Sequence, residues 1–250
     1  IRNVQDRKHR PQIELMRKTI IMILISLIGL QARSETFSCI IHDAEIVATD
    51  TSVVCRMDGE EIAMDLPEGM QILGLEPFGE GVMAIAKDGY VLFWDSPFDK
   101  ARKTRFDIKG DFTGICIRED RCYIVSDSSE ILSLNLALQG NVFDFNANYS
   151  EYYGNIRLID IAAGALSICV AAVREDGSPA AFTSSKGTVW SERELNYKVD
   201  GVWHAFKKVP HRITYEELSD NFVLHCEDGT EFHLPACSHC NYVVEPSTLQ

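Results

Sequence analysis

Residues 82–94 read VMAIAKDGYVLFW, in which two apolar, β-rich runs flank the dipeptide Asp88-Gly89. Asp-Gly between such runs predicts a tight β-hairpin, because glycine adopts positive φ without strain and aspartate tolerates it. The same phrase recurs as VVCRMDGEEIAM at 53–64, CYIVSDSSEILSL at 122–134, CVAAVREDGSPAAF at 169–182 and FVLHCEDGTEFHL at 222–234. Successive turns are 30, 40, 48 and 52 residues apart. Hairpins that recur at about this interval are typical of propeller blades of about four strands.

The size of the repeated region sets the number of blades. Residues 35–250 divided among five phrases give about 43 residues each, which is the length of one blade. A further apolar run precedes four of the phrases, at 71–77, 112–117, 156–162 and 212–218. We therefore expect an all-β fold, a β-propeller of about five blades. The first phrase has few residues before the second, so we expect the strand Phe37–Ile41 to complete the last blade beside Asn241–Val244, which would remove exposed sheet edges.

Charge is distributed unevenly along the chain. The protein has 24 Lys and Arg against 37 Asp and Glu, a formal charge of −13. The first 34 residues hold seven basic and two acidic side chains, so the rest of the chain is still more acidic. An acidic body repels phosphate backbones and anionic lipid surfaces. We expect no nucleic-acid partner.

The amino-terminal region has the pattern of a secretory signal peptide. Met16-Arg17-Lys18 precedes an apolar run, Ile20–Leu30, and small residues follow at Ala32 and Ser34. The run is shorter than the ~20 residues that cross a bilayer. We assign residues 1–15 to an upstream tail, 16–34 to the signal peptide and 35–250 to the propeller, with secreted or periplasmic location and no membrane span after cleavage. An uncleaved anchor and a buried helix are the alternatives.

All eight cysteines follow the signal, and an exported chain permits disulfides. Cys116 and Cys122 flank a hairpin turn and could face each other. Near the carboxyl end, His233, Cys237 and Cys240 crowd together, and a zinc site there is the alternative to a disulfide or to unpaired cysteines. A single CxxC without a second pair is a weak zinc signal, so we expect no metal and no cofactor.

Residues 156–195 resemble one blade of the bacterial secreted propellers with sialidase-type repeats, known as BNR or Asp-box repeats. They are also similar to the repeats of the photosystem-assembly propeller group. TSSKGTVW at 183–190 resembles a degenerate Asp box, whose pattern is Ser-x-Asp-x-Gly-x-Thr-Trp, with Ser185 where the family has Asp, Gly187 at the turn glycine and Trp190 at the aromatic. In that family the box is a folding device in which a polar side chain ties the turn and Trp packs beneath it. The resemblance implies fold rather than activity.

Several residue groups suggest chemistry, each with a plainer structural interpretation. Sialidases need an arginine cluster that binds the substrate carboxylate, a Tyr–Glu pair that supplies the nucleophile and an Asp that serves as the acid. One stretch of this chain offers Glu151, Tyr152, Tyr153, Arg157 and Asp160. Catalytic groups in propellers converge from several blades, so a polar loop between blades is the simpler interpretation. Carboxylates for glycosidase chemistry lie near inner-strand ends at Glu76, Asp111, Asp160, Glu216 and Glu217. Asp144, Asn146 and Asn148 resemble the start of a calcium loop, but the pattern lacks its later Gly and Glu, which favours a solvated loop.

The combined features favour an exported, monomeric β-propeller that acts as a non-enzymatic ligand-binding or protein-interaction module. Its ligand would be a protein or a glycan, held by the longer connections at 97–111, 138–155 and 195–211. We assign no catalytic residue. The alternatives are a glycan-active hydrolase of the sialidase-like or five-bladed glycosidase kind, and an envelope assembly factor. Carboxylates that converge on the channel would favour the hydrolase, whereas an apolar or aromatic groove would favour binding; Trp94, Trp190 and Trp203 would stack on sugars or pack between blades.

Overall fold

The computed structural model describes residues 36–136, 155–237 and, for the backbone alone, 142–148. These residues form a five-bladed β-propeller, as the repeat spacing predicts. The upstream tail at 1–15, the signal peptide at 16–34 and the strand expected at Asn241–Val244 lie outside them. In the ranges described, no helix is long and apolar enough to cross a membrane.

Each blade is an antiparallel sheet whose strands follow one another along the chain. Blade 1 contains β1 (Phe37–Ile41), β2 (Ala44–Ala48), β3 (Val53–Met57) and β4 (Glu60–Ala63). Blade 2 contains β5 (Ile72–Phe78), β6 (Gly81–Ala86), β7 (Tyr90–Trp94) and β8 (Arg102–Arg105). Blade 3 contains β9 (Phe112–Arg118), β10 (Arg121–Ser126), β11 (Glu130–Asn135) and β12 (Val142–Asn148). Blade 4 contains β13 (Ile156–Ala163), β14 (Ile168–Arg174), β15 (Pro179–Ser184) and β16 (Ser191–Arg193). A separate hairpin, β17 (Asn196–Val199) and β18 (Val202–Ala205), precedes blade 5, whose described strands are β19 (Pro210–Glu216), β20 (Asn221–Cys226) and β21 (Glu231–Pro235).

Four apolar cores hold successive blades together. The first strands of the blades, β1, β5, β9, β13 and β19, pack one against the next. Strand β6 shows how one strand serves two cores: Val82 and Ala84 face blade 1, whereas Met83 and Ile85 face blade 3. Because both faces of a middle blade are covered, all six residues of β6 are buried and its sequence is continuously apolar.

Blades 1 and 5 each contribute only one face to these cores. On the other face of blade 1, Arg56 pairs with Glu61 at 3.0 Å and with Glu45 at 3.5 Å, and each of the three side chains is about half exposed. On the corresponding face of blade 5, His225 contacts Glu231 at 3.1 Å. These two faces are therefore polar, which explains why the strands of the phrase at 53–64 contain the charged residues Arg56 and Glu61, while β6 and β7 of the phrase at 82–94 contain none.

The expectation that Phe37–Ile41 completes the last blade is wrong. The strand pairs with β2, from Phe37 opposite Ala48 to Ile41 opposite Ala44, and gives blade 1 its own first strand. The phrase at 53–64 forms the third and fourth strands of blade 1, whereas the other four phrases form second and third strands. This offset also accounts for the short first spacing of 30 residues.

Antiparallel pairing sorts the turns between two ends of the propeller. Turns between second and third strands, at Asp88, Ser128, Asp176 and Asp228, lie at the same end as the connections between blades. We call this the connection end. Turns between first and second strands and between third and fourth strands lie at the opposite end.

Outside the carboxyl-terminal tail, the cysteines of the described residues are buried or partly buried thiols. Cys116 lies opposite Tyr123, and Cys122 lies opposite Ile117, so the two sulfurs point to different faces of blade 3. Cys116 belongs to the core with blade 4 and Cys122 to the core with blade 2, which corrects the expectation that they face each other. The remaining described thiols outside the carboxyl-terminal tail are also unpaired, namely Cys39, Cys55, Cys169 and Cys226. Burial raises the pKa of the Cys169 thiol to about 12 and, with help from Glu76, that of Cys39 to about 12.

Candidate functional site

A two-stranded hairpin outside the five blades projects from the connection end. Strands β17 and β18 pair from Asn196 opposite Ala205 to Val199 opposite Val202. The turn between them is Asp200-Gly201, with φ values of 49° and 82°, the left-handed pair that a type I′ hairpin requires. We call this hairpin, residues 196–205, the ribbon.

The ribbon is anchored at its base by apolar side chains. Leu195 and Phe206, which flank it, are buried in the core between blades 4 and 5. The Phe206 N–H donates to the Leu195 carbonyl at 2.7 Å and closes the base. All four residues of β18 are exposed. The ribbon therefore stands on a fixed base and presents its strands to solvent.

Aromatic and cationic side chains share the ribbon surface. The ring of Tyr197 stacks on His204 with centroids 5.5 Å apart. The Lys198 ammonium lies over the Trp203 ring at 5.6 Å. Trp203 is 55% exposed, whereas Trp94 and Trp190 are 1% and 8% exposed. Trp94 and Trp190 pack between blades, as the sequence suggested for tryptophan in general, and Trp203 is the exception.

A groove of about 600 Å³ runs between the ribbon and blade 5. Its apolar floor contains Phe206 and Phe232, whose ring centroids are 4.7 Å apart. Trp203, His204 and Lys207 line its wall. This volume falls within the range of small-molecule and peptide sites. The groove lies in the connection at 195–211, one of the three that the sequence nominated.

Lys208 fixes the edge of the groove to blade 5. Its ammonium donates to Asp228 Oδ2 at 2.6 Å and to Thr230 Oγ1 at 2.5 Å. The Lys208 hydrogen bond, with those from Thr230, lowers the pKa of Asp228 to about 2. Lys208 thus links the hairpin turn of blade 5 to the segment that connects the ribbon with β19.

Two smaller concavities adjoin the groove along blade 5. One, of about 540 Å³, lies between Arg157 of blade 4 and residues 208–211. The other, of about 380 Å³, is lined by Thr214, His225 and Glu231. There His225 Nε2 lies 2.7 Å from Thr214 Oγ1, and burial lowers the pKa of His225.

The carboxyl-terminal ligand candidates do not assemble in the described residues. His233 Nε2 lies 3.8 Å from Glu231, and Cys237 is exposed, while Cys240 lies outside the described residues. Across the ranges that the structure describes, no group of three His, Cys, Asp or Glu side chains could hold a metal ion.

Two of the five candidate carboxylates and an arginine lie on the first strands of their blades, Glu76 on β5, Asp160 on β13 and Arg212 on β19. Glu76 on blade 2 and Asp160 on blade 4 interact electrostatically, and Arg212 of blade 5 opposes their charge. Burial, and then Asp160, raise the pKa of Glu76 to about 8, so its carboxyl is largely protonated at neutral pH. Asp160 lies at a bulge, and its two oxygens accept hydrogen bonds from Ile161 N at 2.8 Å and Ile213 N at 2.9 Å. The Asp160 carboxylate therefore links the first strands of blades 4 and 5 by a hydrogen bond.

The other sequence candidates lie apart from these three residues. Asp111, Glu216 and Glu217 are exposed, and Arg157 lines the concavity beside blade 5. Glu151, Tyr152 and Tyr153 lie outside the described residues. Asp144, Asn146 and Asn148 belong to β12, so the stretch expected as a loop is a strand.

The Asp-box-like turn of blade 4 is a packing element. Gly187 has a φ of 70°, and Trp190 Nε1 donates to its carbonyl at 3.2 Å. The hydrogen bond that closes the turn runs from Gly187 N to Ser184 Oγ at 2.8 Å, so Ser184 ties the turn rather than Ser185. The turn packs on blade 3, because Tyr123 OH donates to the Lys186 carbonyl at 3.2 Å.

Sequence and structure comparisons differ in what they detect. No family model and no curated protein matches the sequence. Solved structures do match. A chain of the mitotic checkpoint complex aligns with a TM-score of 0.59 at 10% identity, over 80% of this chain and 60% of that one. YCF48 from Cyanidioschyzon merolae aligns with a TM-score of 0.58 at 9% identity, over 87% of this chain and 72% of that one.

A third neighbour is the Cps50 (Swd1) β-propeller domain of Myceliophteria thermophila, with a TM-score of 0.58 at 9% identity, over 79% of this chain and 68% of that one. The chain spans only 60% of the matched checkpoint-complex chain. At these identities the likeness establishes the propeller fold and nothing more.

Proposed function

We propose that this protein is an exported, non-enzymatic interaction module that docks a partner in the groove between the ribbon and blade 5. The observation that carries the proposal is the exposed Trp203 beside an apolar floor. It lies on a hairpin that forms a sheet of its own, outside the five blades. Exposed aromatic residues beside a pre-formed groove are typical anchors of binding interfaces. The propeller supplies a rigid base, so the docking surface is ordered before the partner arrives.

The docking proposal is tested by capture on a Trp203→Ala variant. We expect the wild-type protein, used as bait in the envelope and secreted fractions of its host, to retain a stoichiometric partner. The Trp203→Ala variant should lose about 90% of it, because an aromatic anchor at a groove contributes a large share of binding. Since Trp203 is exposed, its removal should leave the melting temperature unchanged. Equal partner recovery by both proteins would contradict the proposal.

A matched control separates the ribbon from general surface effects. Lys103 on β8 is also an exposed strand lysine that lies over an aromatic ring, Tyr90, at 5.7 Å. Lys103→Ala should retain the partner at the wild-type level.

The proposal of export rests on three features of the sequence before residue 35: the basic residues Arg17 and Lys18, the short apolar run 20–30, and the small residues Ala32 and Ser34. We expect intact-mass analysis of the protein from the secreted or periplasmic fraction to place its new amino terminus between Arg33 and Thr36. Recovery of the uncleaved chain from the cytoplasm would overturn this part of the proposal.

A glycan-active hydrolase is the second candidate, because Glu76, Asp160 and Arg212 lie on the first strands of blades 2, 4 and 5 and interact electrostatically. A pair of carboxylates, one of which has a raised pKa as Glu76 does, is the arrangement that glycosidases use. Against it, both Asp160 oxygens already accept backbone hydrogen bonds. Hydrolysis of aryl glycosides or sialosides that Glu76→Gln abolishes would favour this candidate over the binding module.

A further inference from the structure

The ribbon and its connection to blade 5 reverse the charge of the chain around them. Residues 195–212 contain four Lys and Arg and one acidic residue, Asp200, whereas the whole chain has 24 basic against 37 acidic residues. His204 and His211 lie in the same segment. A local positive region on an acidic body attracts a short anionic group there and repels it elsewhere.

The lysines of this segment differ in their availability. Lys208 is neutralised by Asp228 at 2.6 Å and serves the structure. Lys207 lines the groove, and within the described residues it has no ion-pair partner. Lys198 lies over the Trp203 ring, which holds its ammonium at the surface without cancelling its charge. Lys207 therefore offers an ammonium inside the groove, and Lys198 offers a second one on the ribbon beside Trp203. Glu231 is the acidic residue of the groove lining, and His225 contacts its carboxylate at 3.1 Å.

The apolar floor of the groove favours a second kind of group on the ligand, one that is apolar or aromatic. Phe206 and Phe232 form an apolar surface, and Trp203 extends it into solvent. A ligand that matches both parts carries an apolar or aromatic side chain between carboxylates. Nucleic acid also combines charge with aromatic bases, but its long run of phosphates meets repulsion from the acidic body beyond the ribbon.

We propose that the segment docked in this groove is an acidic peptide stretch with an aromatic anchor residue. The inference rests on the proposed docking function and adds the chemistry of the partner. Lys198 and Lys207 pair with its carboxylates, and the anchor ring packs on Phe206 and Phe232 beside Trp203. Lys208 keeps the groove edge in place.

The probes are three fluorescein-labelled peptides of equal length, each with one central Phe. The flanking residues are Glu in the first, Gln in the second and Lys in the third, and a single-stranded oligonucleotide of matched charge is the fourth probe. Anisotropy gives the affinity, and acrylamide quenching reports binding at Trp203, because the other two tryptophans are buried. We expect the Glu peptide to bind about tenfold or more tightly than the Gln peptide and to shield Trp203.

The variants assign that preference to the ribbon. Lys198→Glu combined with Lys207→Glu should remove the tenfold preference, and the matched Lys103→Glu variant should keep it. The preference should also shrink as salt is raised. Equal affinity for the Glu and Gln peptides, with shielding of Trp203 by both, would overturn the acidic chemistry but leave the docking groove supported.

Tighter binding of the oligonucleotide than of the Glu peptide would overturn the inference in favour of nucleic acid. Failure of every probe to shield Trp203 would overturn it as well. The proposed function is decided separately, by partner capture with Trp203→Ala.

Discussion

Gly187→Ala should destabilise the propeller by about 3–5 kcal/mol, an unusually large effect for adding one methyl group. Gly187 has a φ of 70°, and a Cβ built on it would lie 2.1 Å from Tyr123 Cε1. The strained dihedral accounts for about 1 kcal/mol, and displacement of the Tyr123 ring from the core between blades 3 and 4 accounts for the rest. Chemical denaturation measures the change in unfolding free energy.

Gly177→Ala is the matched control for Gly187→Ala. Gly177 has a φ of 81°, but a Cβ there would meet no atom within 4 Å. Its substitution should cost only the dihedral strain, about 1 kcal/mol. If the two variants lose equal stability, the turn does not pack on Tyr123 as described. The Gly187→Ala variant should bind a partner normally once folded, because its turn lies between β15 and β16, at the end opposite the ribbon.

Glu76→Gln should stabilise the protein at high pH and leave it unchanged at low pH. The pKa of Glu76 is about 8 in the folded state, because of burial and of Asp160, against about 4.3 for an exposed glutamate. Between these values the folded protein holds a proton that the unfolded chain has released, so the unfolding free energy falls as pH rises. Above pH 8 the charge is in place and the cost is complete. Glutamine reproduces the protonated form and avoids that cost.

The expected gain for Glu76→Gln is about 2–4 kcal/mol at pH 9 and near zero at pH 4. Urea unfolding at a series of pH values measures it. Glu60→Gln, which replaces an exposed glutamate of blade 1, is the matched control for the change in charge. Parallel pH profiles for the wild type and Glu76→Gln would contradict a buried carboxyl at the channel.

The hairpin phrases predicted most strands but not their positions within a blade. The runs expected at 82–86 and 90–94 correspond to β6 and β7 within one residue. Asp-Gly specifies a hairpin through its backbone dihedrals, and it carries no information on whether the two strands are second and third or third and fourth. That ambiguity misplaced Phe37–Ile41. The charged residues Arg56 and Glu61 within the strands of the phrase at 53–64 are the sequence sign that blade 1 has one polar face.

The ribbon could have been found from the sequence. NYKVDGVWHA at 196–205 contains a fifth Asp-Gly, besides the four in the hairpin phrases, between runs rich in β-branched and aromatic residues. Its flanks are more polar than those of the blade hairpins, and this exposure is the property that makes it a candidate site. Glu76 and Asp160 were two among many acidic residues. Only the interaction of residues from blades 2, 4 and 5 distinguishes them from the others.

The most direct test of docking at the ribbon is photo-crosslinking from two positions in the intact protein. A benzophenone side chain replaces Trp203 in one variant and Glu76 in the other, and peptide mass spectrometry identifies the crosslinked sites after irradiation with the captured partner. We predict adducts from position 203, joined to acidic stretches of the partner, and none from the channel position. Adducts from position 76 without adducts from position 203 would contradict the account and would place the functional site in the channel.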